Sequence, residues 1–146
     1  MEKLKVKKLD KRAILPTYGT KFSAGADLYA LSDGAVEIAP HETQFMHTGL
    51  AMEIPSGYVG FVCARSGIAL KRGLAPANKV GVVDSDYRGE IMVAIHNHTD
   101  KPQVIENGER VAQIIILPYL AVEYVECDSL SETERGEGGF GSTGKK

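Results

Sequence analysis

An all-β domain, a jelly-roll-like sandwich or barrel, is what this chain predicts, and three observations predict it. Short segments rich in β-branched and aromatic residues recur along most of its 146 residues. Compact turn signals separate them: Ser32-Asp33-Gly34, Pro40, Pro55-Ser56-Gly57, Asp86-Tyr87-Arg88-Gly89, Asn107-Gly108 and Pro118. Only one stretch, from Ser66 to about Arg72, has the look of a helix, and it is short. Even spacing of strands and turns favours a sandwich or barrel over a strand–helix alternation.

The elements follow in order. Lys3, Lys5 and Lys7 alternate with apolar residues, as on a charged edge strand. Asp27 opens a strand after the small residues Ala24-Gly25-Ala26. Further strands are expected at Val36–Ile38, Gln44–Ile54, Tyr58–Cys63, Gly81–Val83, Ile91–Ile95, Val111–Leu117 and Ala121–Val125. Two of these, Ile91-Met92-Val93-Ala94-Ile95 and Ile114-Ile115-Ile116-Leu117, are apolar at every position. Such strands need cover on both faces, from a second sheet and from another subunit. There is no internal repeat. A β domain over residues 1–130 and a glycine-rich tail over 131–146 account for the whole chain.

Composition excludes several classes. The net charge of −2 argues against sequence-independent nucleic-acid binding. No apolar run approaches the length that spans a bilayer, and the N-terminus lacks a signal-peptide core. Cys63 and Cys127 are too far apart for a C-x-x-C site and fit reduced thiols in the cytoplasm. A chain of this length can bury about two-thirds of its unfolded surface without disulfides.

Five segments carry chemistry. The tail, Arg135 to Lys146, has five glycines between Gly136 and Gly144, so it buries little, and ordering it costs about 1–2 kcal/mol per residue. It also holds Arg135, Phe140, Ser142, Thr143 and uncovered amides, a set suited to a phosphorylated ligand with a ring; a featureless linker is the plain alternative. Ala24-Gly25-Ala26-Asp27-Leu28-Tyr29 is either a turn into a strand or a close backbone approach to a ligand. Arg65-Ser66-Gly67 gives Ser66 as a helix N-cap or, with the arginine, an anion site. In Gly81-Val82-Val83-Asp84-Ser85-Asp86-Tyr87-Arg88-Gly89, Asp84 and Asp86 share a face if the chain stays extended. Mutual repulsion and desolvation would then favour a general base, against the alternative of a polar hairpin tip. Gln113 falls on the face of Val111 and Ile115, so its amide needs a structural partner or a wet site.

In this order, A-G-A-D-L-Y, A-R-S-G-I-A, G-V-V-D-S-D-Y-R-G-E, G-E-R-V-A-Q and R-G-E-G-G-F-G-S-T-G resemble the five motifs of the homotrimeric dUTP pyrophosphatases, from Ala24 to Gly144. One departure is Ala64, where many members have proline before R-S-G. The resemblance implies a homotrimer whose shared sites hydrolyse dUTP to dUMP and pyrophosphate, limiting uracil incorporation and supplying dUMP for thymidylate synthesis. It implies Asp84 as general base, with Gln113 helping to hold the attacking water. It places Arg65, Ser66 and Gly67 on the phosphates and Asp27 on waters around a Mg²⁺ carried mainly by the triphosphate. Asn78, Gly81 and Val83 would read uracil by main-chain groups, and Tyr87 would lie under the deoxyribose. Arg135, Gly141, Ser142 and Thr143 would close on the phosphates while Phe140 stacks on the base.

Two rivals remain on sequence: a dCTP deaminase, which requires a glutamate near the pyrimidine where this chain reads D-S-D-Y-R-G, and a non-hydrolytic nucleotide sensor. His96 and His98 could share a strand face as zinc ligands but lack a third ligand nearby, and His41 and His47 read as ordinary surface or loop residues.

Overall fold

Residues 3–139 are described by the structure, a computed structural model. Twelve strands and one helix form four antiparallel sheets. The largest has the order β2 (Thr17–Tyr18), β3 (Ala26–Tyr29), β12 (Arg110–Pro118), β7 (Tyr58–Cys63), β9 (Val80–Val83). A three-stranded sheet sets β10 (Val93–Asn97) between β5 (Thr43–Met46) and β8 (Leu74–Pro76). Two-stranded sheets pair β1 (Lys5–Lys8) with β6 (Leu50–Glu53), and β11 (Gln103–Ile105) with β4 (Val36–Ile38). The charged edge is realised in β1, where Lys5 and Lys7 point outward and Lys5 meets Glu53 at 3.0 Å. Inward side chains from all four sheets, among them Leu28, Ile38, Met46, Leu50, Leu74, Ile95 and Ile105, form one dry core.

The expected strand Gln44–Ile54 is in fact two strands in different sheets. Gly49 causes the break. It has φ +67°, and a Cβ there would lie 2.5 Å from Leu31 Cδ2 and 2.9 Å from Ala13 Cβ. Beside it, Thr48 Oγ1 donates to the Ile91 carbonyl and accepts from the Leu50 amide, holding the corner. Ala121–Val125 forms no strand, because β-rich composition does not supply a neighbouring edge; Val122, Tyr124 and Val125 are exposed. The expected Ile91–Ile95 strand begins at Val93 and runs on to Asn97. Its buried side carries Val93 and Ile95, while Met92 on the other side is 42 % exposed, so this chain covers only one face.

Asn97 is fully buried and fully used. Its amide nitrogen reaches the carbonyls of Ile38, Ala39 and Lys101, and its oxygen accepts from the Thr99 amide and hydroxyl. The helix α1 spans Ser66–Arg72 as expected, but Ser66 is not its cap. Arg65 holds the extended N-cap position without a side-chain capping bond, and Ser66 is the first helical residue. The helix ends at Gly73, in the left-handed region, whose amide donates to the Ala69 carbonyl.

Candidate active site

Outside the tail, the sequence-predicted residues gather into two hollows. The first lies where β3, β12 and the start of α1 meet, and is lined by Gly25, Asp27, Arg65, Ser66, Gly67 and Gln113 together with Arg110. Asp27 is 8 % exposed and sits opposite Gln113 in the β3–β12 ladder. Arg65 Nε donates to Asp27 Oδ1 at 2.6 Å, and Arg110 Nη1 to Oδ2 at 3.3 Å. Two guanidiniums share one carboxylate, which leaves the hollow with an excess positive charge. An oxyanion is its natural ligand. The β12 register shifts between Arg110 and Ala112, a bulge of the kind that re-aims a side chain.

Gln113 has its structural partner: its amide nitrogen donates to the Ala64 carbonyl at 2.9 Å. A Cβ on Gly25 would come within 2.2 Å of Gln113 Oε1. The small residue of the first motif therefore makes room for this amide. Among the described residues Asp27 is the only carboxylate lining the hollow. One carboxylate cannot cage a divalent cation, but it suits the outer shell of Mg²⁺ that keeps its waters and is carried by phosphates. Among the described residues no group of three His, Cys, Asp or Glu side chains could hold a metal ion.

The second hollow lies beside β9 and the turn that follows it. The turn from β8 to β9, two strands of different sheets, passes through Lys79 at φ +65°, with Lys79 N–H donating to Pro76 O and Val80 N–H to Asn78 O. Gly81 lies opposite Val62 on β7, where an added Cβ would stand 3.3 Å from both Asn78 Nδ2 and Val62 Cβ. Asn78, Gly81, Val83, Asp84 and Tyr87 line this hollow with Phe45. The chain leaves the strand after Val83 and turns, with Tyr87 N–H donating to Asp84 O at 3.2 Å. This corrects the extended arrangement that would set Asp84 and Asp86 on one strand face. Tyr87 lays its ring over Gly89, where a Cβ would be 2.4 Å from the hydroxyl, and donates to Glu90 O at 3.0 Å.

Among the described residues none lines both hollows. In the ladders, Gln113 pairs with Cys63 and Cys63 with Val80, whereas Asp84 follows Val83. Two strands across and four residues along separate Asp84 from Gln113, roughly 15 Å in a flat sheet. Within one chain they do not meet around one water. Arg135 lies outside both hollows and donates to Gly138 O at 2.7 Å. Phe140, Gly141, Ser142 and Thr143 fall outside the described residues.

Sequence reasoning assigned no role to Arg110 or Glu90. Arg110 stands inside the fourth motif, but its partner is 83 residues away, so only its place beside Gln113 could have signalled it. Glu90 closes the third motif. Its Oε1 accepts from Gly49 N–H at 2.7 Å and its Oε2 from His47 Nδ1 at 2.9 Å. Burial raises its pKa, and the bonds from His47 and Gly49 outweigh that, so the carboxyl lies below its ordinary value. His96 and His98 do touch, ring centroids 4.5 Å apart. Burial, then His96, Lys79 and His41, hold the His98 pKa below its ordinary value. His41 and His47 are surface residues, paired with Asp100 and Glu90.

A sequence profile of the dUTPase family matches residues 11–144. The chain belongs to the dUTPase family. It is 50 % identical to the deoxyuridine 5'-triphosphate nucleotidohydrolase of Hydrogenobaculum sp. over 144 residues, 99 % of each chain. To the enzyme of that name from Nautilia profundicola it is 49 % identical over 143 residues, 98 % of this chain and 99 % of the other. Among solved structures it is similar to the dUTPase of Staphylococcus bacteriophage 80alpha with dUPNHPP. The TM-score is 0.91 at 31 % identity, and the match covers 99 % of both chains. As a dUTPase it is a hydrolase, and the jelly-roll-like all-β expectation holds.

Proposed function

We propose that the chain hydrolyses dUTP to dUMP and pyrophosphate in sites shared between the subunits of a homotrimer. The separation of Asp84 from Gln113 carries the shared-site reading, since a single chain holds two half-sites and the reaction needs both. The named substrate of the relatives and the dUPNHPP-bound phage enzyme support the choice of nucleotide. The half-covered β10 and the exposed apolar segment that contains Val122, Tyr124 and Val125 are surfaces that further copies would cover.

In this reading Asp84 of one subunit takes a proton from water as its oxygen bonds the α-phosphorus. Gln113 of a neighbour holds that water. The bond from the α-phosphorus to the bridging oxygen breaks, and pyrophosphate leaves. Arg65 and the Ser66 hydroxyl stabilise charge on the bridging and non-bridging oxygens, and the Gly67 amide adds a donor. Asp27 would order the waters of the Mg²⁺ that rides on the triphosphate, and Arg110 remains its hydrogen-bond partner when Arg65 turns to phosphate. When bound, Mg²⁺ supplies neutralisation of the phosphate charge.

Asn78 and the main chain at Gly81 and Val83 read the uracil edge. Tyr87 fills the space that a 2′-hydroxyl would take. Arg135, Gly141, Ser142 and Thr143 close on the β- and γ-phosphates, and Phe140 stacks on the base. A deaminase needs a glutamate free at the pyrimidine. Glu90 lines the second hollow, but both its oxygens are engaged by Gly49 and His47. In the cytoplasm the reaction would keep uracil out of DNA and supply dUMP for thymidylate synthesis.

Turnover of dUTP, dCTP, dTTP and UTP with pyrophosphate detection tests the reaction. Pyrophosphate release is expected from dUTP far above the others. Ammonia release from dCTP, or binding of dUTP without turnover, would point to one of the two rivals instead.

A further inference from the structure

We propose that Glu90 is a positioning residue for Tyr87, and through it a determinant of the choice between deoxyribo- and ribonucleotides. The proposal rests on reading Tyr87 as the residue under the sugar. It goes beyond that reading by naming what holds the ring in place.

The segment 84–90 is poorly tethered except at one point. Among the described residues its hydrogen bonds stay within the segment: Tyr87 N–H to Asp84 O, Arg88 Nη1 to Ser85 O and Tyr87 O, and Tyr87 hydroxyl to Glu90 O. The exception is the Glu90 carboxylate, which takes the Gly49 amide with one oxygen and His47 with the other. Gly49 is itself tied down, since its carbonyl accepts from the Leu9 amide at 2.7 Å, and its corner has no room for a side chain.

A continuous chain of contacts therefore runs from the β5–β6 corner to the ring. The corner amide holds the Glu90 carboxylate. The Glu90 main-chain oxygen accepts from the Tyr87 hydroxyl, and Gly89 supplies the flat floor on which the ring rests. The position of the ring is set by main-chain groups with two ties to the body of the domain: the Glu90 carboxylate on Gly49 and His47 and, one residue on, the Ile91 amide, which donates to Leu50 O at 2.8 Å. A ring free to shift by an ångström no longer excludes a 2′-hydroxyl, because that exclusion is steric.

The conservative variant separates position from charge. Glu90→Gln keeps an oxygen for the Gly49 amide and offers its NH₂ to a neutral His47, so it should keep the wild-type preference. Glu90→Ala leaves the Gly49 amide without its acceptor.

The experiment measures kcat/KM for dUTP and UTP in Glu90→Ala, Glu90→Gln, Tyr87→Ala and Tyr87→Ala/Glu90→Ala, each checked for fold by circular dichroism. Glu90→Ala should cut the dUTP-to-UTP preference about tenfold, the loss expected when a hydrogen bond to a charged group goes. Glu90→Gln should restore it, and the double variant should match Tyr87→Ala alone. A preference unchanged in Glu90→Ala while Tyr87→Ala loses it would overturn the role of Glu90 and spare that of Tyr87. Losses that multiply in the double variant would also overturn it, because Glu90 would then act apart from the ring. A preference unchanged in Tyr87→Ala would remove the sugar-gate reading, and this inference with it.

Discussion

The two hollows are built from different materials. The hollow at Asp27, proposed for the phosphates, is made of long polar and charged side chains: Arg65 and Arg110 on Asp27, and Gln113 on the Ala64 carbonyl. The hollow at Asp84, proposed for the nucleoside, is bordered by two turns, with glycines at Gly81 and Gly89 where the chain folds back on Asn78 and Tyr87. Charge neutralisation needs ions that can be placed at a distance from the main chain. Recognition of a base edge and a sugar face needs a surface with few moving parts. The first can be disabled by removing a charge, and the second by disturbing a backbone.

The sharpest way to break the comparison is at the carboxylate proposed as the base. Asp84→Asn should bind dUTP and lose about 10²–10⁴ of kcat, the range expected on removing a general base. Single-turnover measurement with a correctly folded variant checks this, and near-wild-type turnover would show that the base lies elsewhere.

Next comes the division of labour between copies. Asp84→Asn and Arg65→Ala should each be nearly inactive alone. Unfolded together and refolded one to one, they should recover about a quarter of wild-type activity, because random assembly into symmetric rings rebuilds that share of intact shared sites. No recovery in mixed trimers of confirmed composition would place both residues in one subunit's site.

A smaller effect is expected at Gly25. Alanine there drives a methyl toward Gln113 Oε1 and should destabilise the domain by about 1–3 kcal/mol, as overpacking does. Thermal melting would report it. The matching exposed-turn change, Gly34→Ala, adds a methyl that meets nothing within 4 Å and should leave the melting point in place.

The smallest effect concerns pH. Glu90 has a folded-state pKa below its ordinary 4.5, so its contribution to stability is present above that value and fades as pH falls through the folded pKa. Glu90→Gln should therefore flatten the acid side of the stability curve below pH 4.5 and leave the curve unchanged near neutrality. Urea titrations over that range would show it.

Local chemistry in the sequence was enough to place the helix from Ser66 to Arg72 and the strand from Tyr58 to Cys63, because a glycine stop and flanking turns mark their ends. It failed at Gly49. A glycine inside an apolar run reads as strand interior, and the crowding by Leu31 and Ala13 that forces the corner comes from distant parts of the chain. It failed again at Ala121–Val125, where propensity was high and no partner edge was present. Residues Asp27, Arg65, Asp84 and Gln113 were legible as chemistry because they stand in dense motifs. The bonds that position them were not, since Arg110 reaches Asp27 across 83 residues and Glu90 reaches Gly49 across 41. The capping role expected of Ser66 passed to Arg65, whose extended backbone serves without a side-chain bond and leaves the Ser66 hydroxyl uncommitted to a cap.

Asn97 bears on how the molecule ages. Asparagine decays when the following amide nitrogen attacks its side-chain carbonyl carbon to form a succinimide. Here that nitrogen, on His98, is held by the Gly73 carbonyl at 2.9 Å, and the Asn97 oxygen is held by Thr99. The nucleophile and its target are thus both kept from the geometry of ring closure. Were the amide converted to a carboxylate, it would face the carbonyls of Ile38, Ala39 and Lys101 with no hydrogen to offer them. The same lattice of bonds that joins β10 to its neighbours therefore protects this asparagine from deamidation for as long as the domain stays folded.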